Sequence, residues 1–290
     1  MKISLSAYSL SQKLNRREMT QLDCAIKAKE LGFDAIEYTD IFGRTYEDQV
    51  AYAKRIKEAA DGAGIEIGSY VVSACLYKDT AEERRAEIET VKKKLDIASV
   101  LGVKIFRHDV LYATGKVGES RSFGLMLPYI AEATREISEY GKSLGITTCT
   151  ENHSFIAQDS YRMEQLFNAV NHDNYGLLID IGNFVCADEN PLQAVSRLAS
   201  CAVHAHIKDF IIRDHPIHEF GYFETRGCNY VCGTILGEGD VPVKKCLAIL
   251  KRAGYEGDLV IEYEANHECI DGITRALANL KSYLAELDWN

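Results

Sequence analysis

The sequence has little that would interrupt regular secondary structure, since only 4 of its 290 residues are proline. It also has no apolar run near the ~20 residues that a membrane-spanning helix requires, and no apolar leader segment at its start. Acidic residues outnumber basic ones by 43 to 33, so no surplus of lysine and arginine is present to bind nucleic-acid phosphates. We therefore expect a cytoplasmic enzyme-sized protein without a nucleic-acid or membrane partner.

The nine cysteines are an odd number and include no C-x-x-C pair. This spacing argues against a disulfide framework and against zinc-finger ligand sets. Most of the cysteines lie in or beside apolar runs, as Cys24, Cys75 and Cys149 do. We predict that they are small buried side chains in a reducing compartment.

One local pattern recurs along the chain: a helical stretch ends at a glycine, and a short β-rich run follows within a few residues. It occurs at Gly32, Gly64, Gly102, Gly145 and Gly254. Glycine ends a helix in the left-handed conformation at little steric cost, so each occurrence predicts a connection from helix to strand.

The strand candidates alternate with amphipathic helical stretches, which predicts a parallel sheet. Eight such units favour a single-domain α/β fold over residues 1–290, the (β/α)8 TIM barrel. An open doubly wound sheet is the alternative, but neither G-x-G-x-x-G nor a P-loop follows the first strand. The predicted strands are 2–8, 34–38, 65–72, 103–107, 146–151, 176–180, 203–207 and 259–262, with a long irregular stretch at 209–238.

Four acidic or imidazole side chains each stand where a predicted strand stops: Glu151, Asp180, His206 and Glu262. Because the C-terminal ends of parallel barrel strands converge on one face, we expect these side chains to meet. Three carboxylates and one imidazole favour a hard or borderline divalent ion over a structural zinc ion. The pattern therefore predicts an enzyme with one divalent-metal site.

Five short motifs follow one another along the chain: TENH at 150–153, LIDIGN at 178–183, HAHIKD at 204–209, GEGD at 237–240 and GYEGDLVIE at 254–262. With these motifs the chain resembles the xylose-isomerase-like TIM-barrel superfamily, in particular its sugar isomerases and epimerases such as the D-tagatose/D-psicose 3-epimerases. The resemblance spans essentially the whole chain.

The resemblance implies that Glu151, Asp180, His206 and Glu262 hold one ion, Mn²⁺ first and otherwise Mg²⁺, Co²⁺ or Zn²⁺, without an organic cofactor. It implies a metal-dependent sugar isomerase or epimerase that transfers a proton through an enediolate. Glu151 and Glu262 are then the catalytic pair, one removing the proton and the other returning it. The expected partner is a small sugar or keto-sugar, and a homo-oligomer is possible because many barrels of this type are dimers or tetramers.

Five further polar residues are predicted to bind substrate. His153 lies two residues beyond the strand-five glutamate and can act as an acid or base near neutral pH. His108 ends the fourth strand, Lys208 lies beside the metal site, and Arg213 reaches over it from the long loop. Asn183 stands where the epimerases usually have histidine, and it can hydrogen-bond a sugar hydroxyl but cannot titrate.

Other polar residues near the strand ends have roles that the sequence leaves open. His204 shares its strand face with His206 and is predicted to be a hydrogen-bonded histidine deeper in the barrel. Arg107 is expected to pair with a barrel carboxylate. Glu37 and Tyr8 end the second and first strands and are further pocket candidates.

Two departures from the epimerase pattern keep other functions open. One is Asn183, and the other is Ala157, which stands where the epimerases carry a second glutamate. The same site would also suit a metal-dependent lyase or dehydratase acting on a keto-sugar or keto-acid, including 3-keto-glycoside cleavage. A third alternative is a non-catalytic sugar-binding barrel or partner subunit. A nuclease resembling endonuclease IV is disfavoured, since that enzyme needs further histidines and a basic surface.

Overall fold

The computed structural model describes residues 1–112 and 122–289, and its centre is a closed barrel of eight parallel strands. The last barrel strand pairs with the first through Leu259 and Ile3, which closes the ring. The predicted TIM barrel is therefore confirmed. The barrel strands are β1 (Ile3–Ser6), β2 (Ala35–Tyr38), β3 (Glu66–Val72), β4 (Ile105–His108), β5 (Thr147–Glu151), β6 (Tyr175–Asp180), β7 (Ala202–Ile207) and β11 (Leu259–Ile261). Three more strands lie outside the barrel: β8 (Asp209–Arg213), β9 (Phe223–Glu224) and β10 (Tyr230–Thr234).

Helices surround the barrel, and several begin and end at residues suited to those positions. Thr45 and Thr80 start two helices in capping boxes, and Gly64 and Gly102 end the same helices with φ of 65° and 78°. No helix in the described ranges is long and apolar enough to cross a membrane. The helices are α1 (Ser11–Asn15), α2 (Gln21–Leu31), α3 (Tyr46–Ala63), α4 (Ala81–Leu101), α5 (Phe123–Ser143), α6 (Ser160–Val170), α7 (Pro191–Leu198), α8 (Val243–Arg252) and α9 (Cys269–Glu286).

On the side of β3, β5 and β6, the barrel interior changes from apolar to polar along the strands. Val71, Cys149 and Leu178 form a small apolar cluster inside the ring, separate from the large core between strands and helices. Side chains two residues apart on a strand share a face. Glu151 and Asp180 therefore lie directly beyond Cys149 and Leu178, on the C-terminal side of the cluster, where the polar side chains gather.

The segment after β7 is a small antiparallel sheet of β8, β10 and β9, so the prediction of an irregular stretch over 209–238 was wrong. The side chain of Asp209 joins its two ends. The carboxylate of Asp209 accepts hydrogen bonds from the backbone N–H groups of Gly237, Gly239 and Val241 at 2.9, 3.0 and 3.0 Å. The chain thus leaves the barrel and returns to it at nearly the same point. We call residues 209–234 the excursion.

Candidate functional site

The four predicted ligand residues come together at the C-terminal ends of the barrel strands. Glu151, Asp180 and His206 lie at or near the ends of β5, β6 and β7, and Glu262 directly follows β11. One ligand atom from each lies within 4.8 Å of the others. His206 Nδ1 is 3.9 Å from Glu151 Oε1, 3.9 Å from Asp180 Oδ2 and 3.6 Å from Glu262 Oε2. The group has the size and donor set of a site for one divalent cation.

Asp180 presents one oxygen to this group and uses the other to fix its position. Its Oδ1 accepts the backbone N–H groups of Gly182 and Asn183 at 2.8 and 3.0 Å. Its fully buried Oδ2 has no hydrogen bond, although Lys208 Nζ lies at an ion-pair distance of 2.9 Å. Burial raises the pKa of Asp180 to about 7, and the nearby Glu151 carboxylate adds to this rise while Lys208 opposes it. A buried carboxylate oxygen without a hydrogen bond is the arrangement that a bound cation would satisfy.

His206 is held from behind by Glu37, which the barrel buries completely. Glu37 Oε1 lies 2.9 Å from His206 Nε2, and Glu37 Oε2 lies 2.8 Å from His204 Nε2. A carboxylate can only accept, so we assign the proton of His206 to Nε2. Its Nδ1, which is buried without a partner, then directs a lone pair toward the three carboxylates. Burial opposes the charge of Glu37, but the two histidines hold its pKa below the ordinary value.

Glu151 is fixed through both of its oxygens. The buried side chain of Arg107 approaches Glu151 Oε2 at 2.7 Å and Asp109 Oδ1 also at 2.7 Å. Glu151 Oε1 accepts a hydrogen bond from Asn183 Nδ2 at 2.8 Å. Arg107 thus pairs with a barrel carboxylate, as the sequence suggested, and its two carboxylates hold its pKa above the ordinary value despite burial.

Lys208 lies on the opposite side of the cluster and bridges three carboxylates. Its Nζ is 2.7 Å from Glu262, 2.9 Å from Asp180 and 3.3 Å from Glu264. Burial lowers the pKa of Lys208, but Asp180 and Glu262 outweigh it and raise the pKa well above the ordinary value. Lys208 is therefore a fixed positive charge beside the candidate ligands.

His153 lies at the rim with its side chain 43% exposed. Its Nδ1 is 3.1 Å from Asp109 Oδ1, the oxygen that also contacts Arg107. Burial lowers the pKa of His153, yet the contact with Asp109 outweighs this and raises it. Arg107 and Asp109 therefore connect His153 to Glu151 through a chain of polar contacts.

Two predicted substrate-binding residues are not brought to the cluster. His108 follows Arg107 on β4, so its ring faces the other side of the strand, where it is buried against Phe106. Burial lowers the pKa of His108 to about 4. Arg213 lies at the end of β8, exposed, and its Nη1 donates to the carbonyl of Ile212 at 2.7 Å. Neither contacts a candidate ligand among the described residues.

Two residues of the site were not predicted from the sequence to have a role there. Glu264 contacts Lys208 and lies two residues beyond Glu262, a spacing that could have indicated a shared face. Asn152 brackets Asp180 by donating to its carbonyl and accepting from its N–H, both at 2.9 Å. Nothing in the local sequence indicates that Asn152 would contact Asp180.

A family model described as a xylose isomerase-like TIM barrel matches residues 26–289. The chain belongs to this family. An inosose dehydratase from Clostridium perfringens is 22% identical over 289 aligned positions, which cover 93% of this chain and 91% of the relative.

Solved structures share the fold of this chain at low sequence identity. The IOLI protein with a bound zinc atom superposes with a TM-score of 0.75 at 17% identity, covering 99% of each chain. D-psicose 3-epimerase in the presence of D-fructose superposes with a TM-score of 0.73 at 15% identity, covering 100% of each chain. Proteins that resemble this chain in sequence or in fold thus include a dehydratase and an epimerase.

Proposed function

We propose that the protein is a divalent-metal-dependent lyase acting on a keto-sugar or cyclic keto-polyol. In this reaction a proton leaves the carbon next to the carbonyl, and a hydroxyl or alkoxyl group leaves the following carbon. The observation that carries the proposal is the fixation of Glu151, whose two oxygens accept from Arg107 and Asn183. Both oxygens of Glu151 are engaged by buried donors and its side chain is only 4% exposed, so a substrate carbon has little access to it. Elimination needs only one base, whereas two-base epimerisation would need Glu151 as well.

The ion proposed for the site is Mn²⁺, with Mg²⁺, Co²⁺ or Zn²⁺ as alternatives, and Glu151, Asp180, His206 and Glu262 would hold it. Three carboxylate oxygens and one imidazole nitrogen suit these ions. When bound, such an ion supplies Lewis acidity that polarises a substrate carbonyl. The dehydratase relative and the zinc-bound structural neighbour support this assignment.

Glu262 is the proposed base. Its side chain is 12% exposed, compared with 4% for Glu151 and 0% for Asp180, so it is the most accessible of the candidate carboxylates. Its Oε2 accepts from Lys208 at 2.7 Å, and its Oε1 has no hydrogen bond within residues 1–112 and 122–289. Burial opposes the charge of Glu262, but Lys208 and His206 hold its pKa well below the ordinary value, so it is present as the carboxylate that a base requires, with Oε1 open to the substrate.

Lys208 and His153 are proposed to handle the remaining charge and proton. The fixed positive charge of Lys208 would balance the negative charge that develops on the substrate oxygen. His153 is held through Nδ1 by Asp109, and its exposed ring leaves Nε2 accessible to protonate the departing oxygen. Asn183, already bonded to Glu151, would orient a hydroxyl next to the carbonyl.

Isomerisation or epimerisation is the second candidate, because Glu151 and Glu262 do lie in one cluster on opposite sides of His206 and Asp180. Mass spectrometry and NMR in D₂O separate the two reactions on a panel of inososes and keto-sugars. Loss of water or an alcohol from the substrate supports elimination. Deuterium incorporation into a product that keeps its carbon skeleton and all of its groups would instead show isomerisation or epimerisation. A protein that retains no divalent ion and turns over nothing would instead be a sugar-binding barrel or a partner subunit.

The variant Glu262→Gln tests the base. Replacing a general base costs typically ~10²–10⁴-fold in rate, so we expect a loss of that order. Glu66→Gln is the matched control, because Glu66 begins β3 at the other end of the barrel and its side chain is 57% exposed. Equal activity of Glu262→Gln and the control would refute the assignment.

A further inference from the structure

Exposed aromatic side chains are concentrated around the C-terminal mouth of the barrel. Aromatic side chains that remain exposed after burial of the core often mark a binding surface, particularly when they lie beside a polar site. The loops and short elements that follow the barrel strands carry six of them: Tyr8, Phe42, Tyr112, Phe155, Phe220 and Phe223.

Three phenylalanines form a continuous series that starts at the candidate site, which we call the aromatic ladder. Lys208 Nζ lies 5.8 Å from the ring centroid of Phe210. The centroid of Phe223 lies 6.1 Å from that of Phe210, and the centroid of Phe155 lies 6.3 Å from that of Phe223, both pairs being edge to face. Phe210 is buried, whereas Phe223 and Phe155 are 38% and 36% exposed. The ladder thus extends from the fixed charge of Lys208 to an open apolar surface.

The backbone that carries Phe155 is strained. Ser154 and Phe155 have φ of 69° and 64°, a left-handed conformation that is rare for a bulky side chain. Three contacts hold it: Phe155 N donates to Gln158, Phe155 O accepts from Arg226, and Ser154 Oγ donates to Leu111 O. Strain of this kind persists where surrounding contacts enforce it, often at binding sites.

The two exposed rings come from separate segments that are joined by charged and polar contacts. Arg226, in the excursion, bonds Asp159 at 2.7 Å as well as the carbonyl of Phe155. Asp188, which follows β6, accepts from Thr225 and Asn229 at 2.7 Å each. The excursion is therefore fixed against the loops after β5 and β6, and the rings are positioned before any ligand arrives.

We propose that Phe155 and Phe223 form a subsite that binds a second ring of the substrate, the one on the leaving-group side. This inference rests on the proposed lyase function and makes the substrate a keto-glycoside. The apolar face of a sugar or aryl ring stacks on aromatic side chains, while the keto ring occupies the charged site. In the elimination a C–H bond next to the carbonyl and the glycosidic C–O bond break, a C=C bond forms, and the second ring leaves as its alcohol or phenol after taking up a proton.

Turnover of two matched substrates tests the subsite, p-nitrophenyl and methyl 3-keto-β-D-glucoside. We expect the wild-type protein to prefer the aryl substrate, and Phe155→Leu and Phe223→Leu each to reduce this preference in kcat/KM by roughly 2–10-fold. Leucine keeps apolar bulk but removes the ring face. Phe42→Leu is the matched control, since Phe42 is exposed at the mouth but lies outside the ladder. An unchanged preference in both ladder variants would overturn the proposal.

A binding measurement separates this inference from the proposed reaction. Calorimetric titration with p-nitrophenyl β-D-glucoside, which has no carbonyl and cannot react, should give weaker binding to Phe155→Leu and Phe223→Leu than to the wild type and Phe42→Leu. If binding depends on the two rings but neither keto-glucoside is turned over, the lyase proposal is refuted and the subsite is still supported. If the ladder variants instead change only the sedimentation coefficient, the rings contact a second copy of the chain and the subsite is refuted.

Discussion

His206 and Glu37 are in contact across the barrel interior, with Nε2 of the histidine 2.9 Å from Oε1 of the carboxylate. The contact joins β7 to β2, strands that are not neighbours in the sheet. It leaves Nδ1 of His206 facing the three carboxylates. The orientation of the only candidate nitrogen ligand in the cluster therefore depends on a residue that does not itself face the proposed ion.

We predict that Glu37→Gln lowers the affinity for Mn²⁺ or Zn²⁺ by roughly 10–100-fold, the usual cost of losing a partner of a metal-bound histidine. Both histidines donate to Oε2 of Glu37, and the neutral amide would remove the buried negative charge that holds the two rings. Isothermal titration calorimetry on apo protein measures the effect without reference to activity. Ser69→Ala, which removes only the hydroxyl that donates to Glu37 at 2.8 Å, should change the affinity much less. Equal affinities for Glu37→Gln and the wild type would contradict the proposed role.

The Arg107–Glu151–Asp109 contacts predict a large loss of stability for Arg107→Met. The change leaves two buried carboxylates without their cation, which typically costs about 3–5 kcal/mol of unfolding free energy. Urea denaturation of the metal-free protein measures it. Lys142→Met is the comparison, since it removes an exposed ion pair with Asp173 and is expected to have no measurable effect. Similar urea midpoints for the two variants would show that Arg107 does not stabilise the site.

Metal binding should stabilise the folded protein. For an ion that binds only the native state, a free concentration of 100 times Kd raises the unfolding free energy by about 2.7 kcal/mol. Thermal unfolding with and without added Mn²⁺ or Zn²⁺, after removal of bound metal by a chelator, detects the shift. Asp180→Asn should lose most of it and Glu66→Gln should retain it. A shift that survives in Asp180→Asn would place the ion elsewhere.

Asp209 should be important for stability although it is not a candidate ligand. Its carboxylate is 2% exposed and accepts three backbone N–H groups where the excursion returns to the barrel. Asp209→Ala leaves these donors unsatisfied, and we expect a cost on the order of 3 kcal/mol. Asp240→Ala is a suitable control because Asp240 also accepts a backbone N–H in this region, that of Ile212 at 2.7 Å, but is half exposed. Limited proteolysis of the two variants should show earlier cleavage within residues 209–238 for Asp209→Ala.

The sequence was sufficient for the barrel and for the residues at the strand ends. Glycine after a helix is a local signal, and so the ends of all eight predicted barrel strands lie within about two residues of those observed. The convergence of Glu151, Asp180, His206 and Glu262 followed because a closed parallel barrel brings all of its C-terminal ends together.

Side-chain direction and distant pairing were harder to predict. Arg107 and His108 are adjacent, and a one-residue change of register exchanges which of them faces the interior. The contact between Glu37 and His206 joins residues 169 positions apart, so it becomes visible only after the barrel closes. The excursion was missed because β9 has only two residues and the burial of β8 does not alternate along the strand, which gives a weak periodic signal.

The hydrogen bonds of Asp209 at the two ends of the excursion affect how the sequence of this segment can change during evolution. Because the carboxylate of Asp209 holds the two ends of the excursion together beside the barrel, the length and composition of the intervening segment can vary without altering the strand order of the barrel. Chimaeras that exchange residues 211–235 for the equivalent segment of another family member should therefore keep the melting behaviour of the parent and acquire a different range of accepted compounds. Substrate selectivity could then evolve largely independently of the catalytic residues at the barrel strand ends.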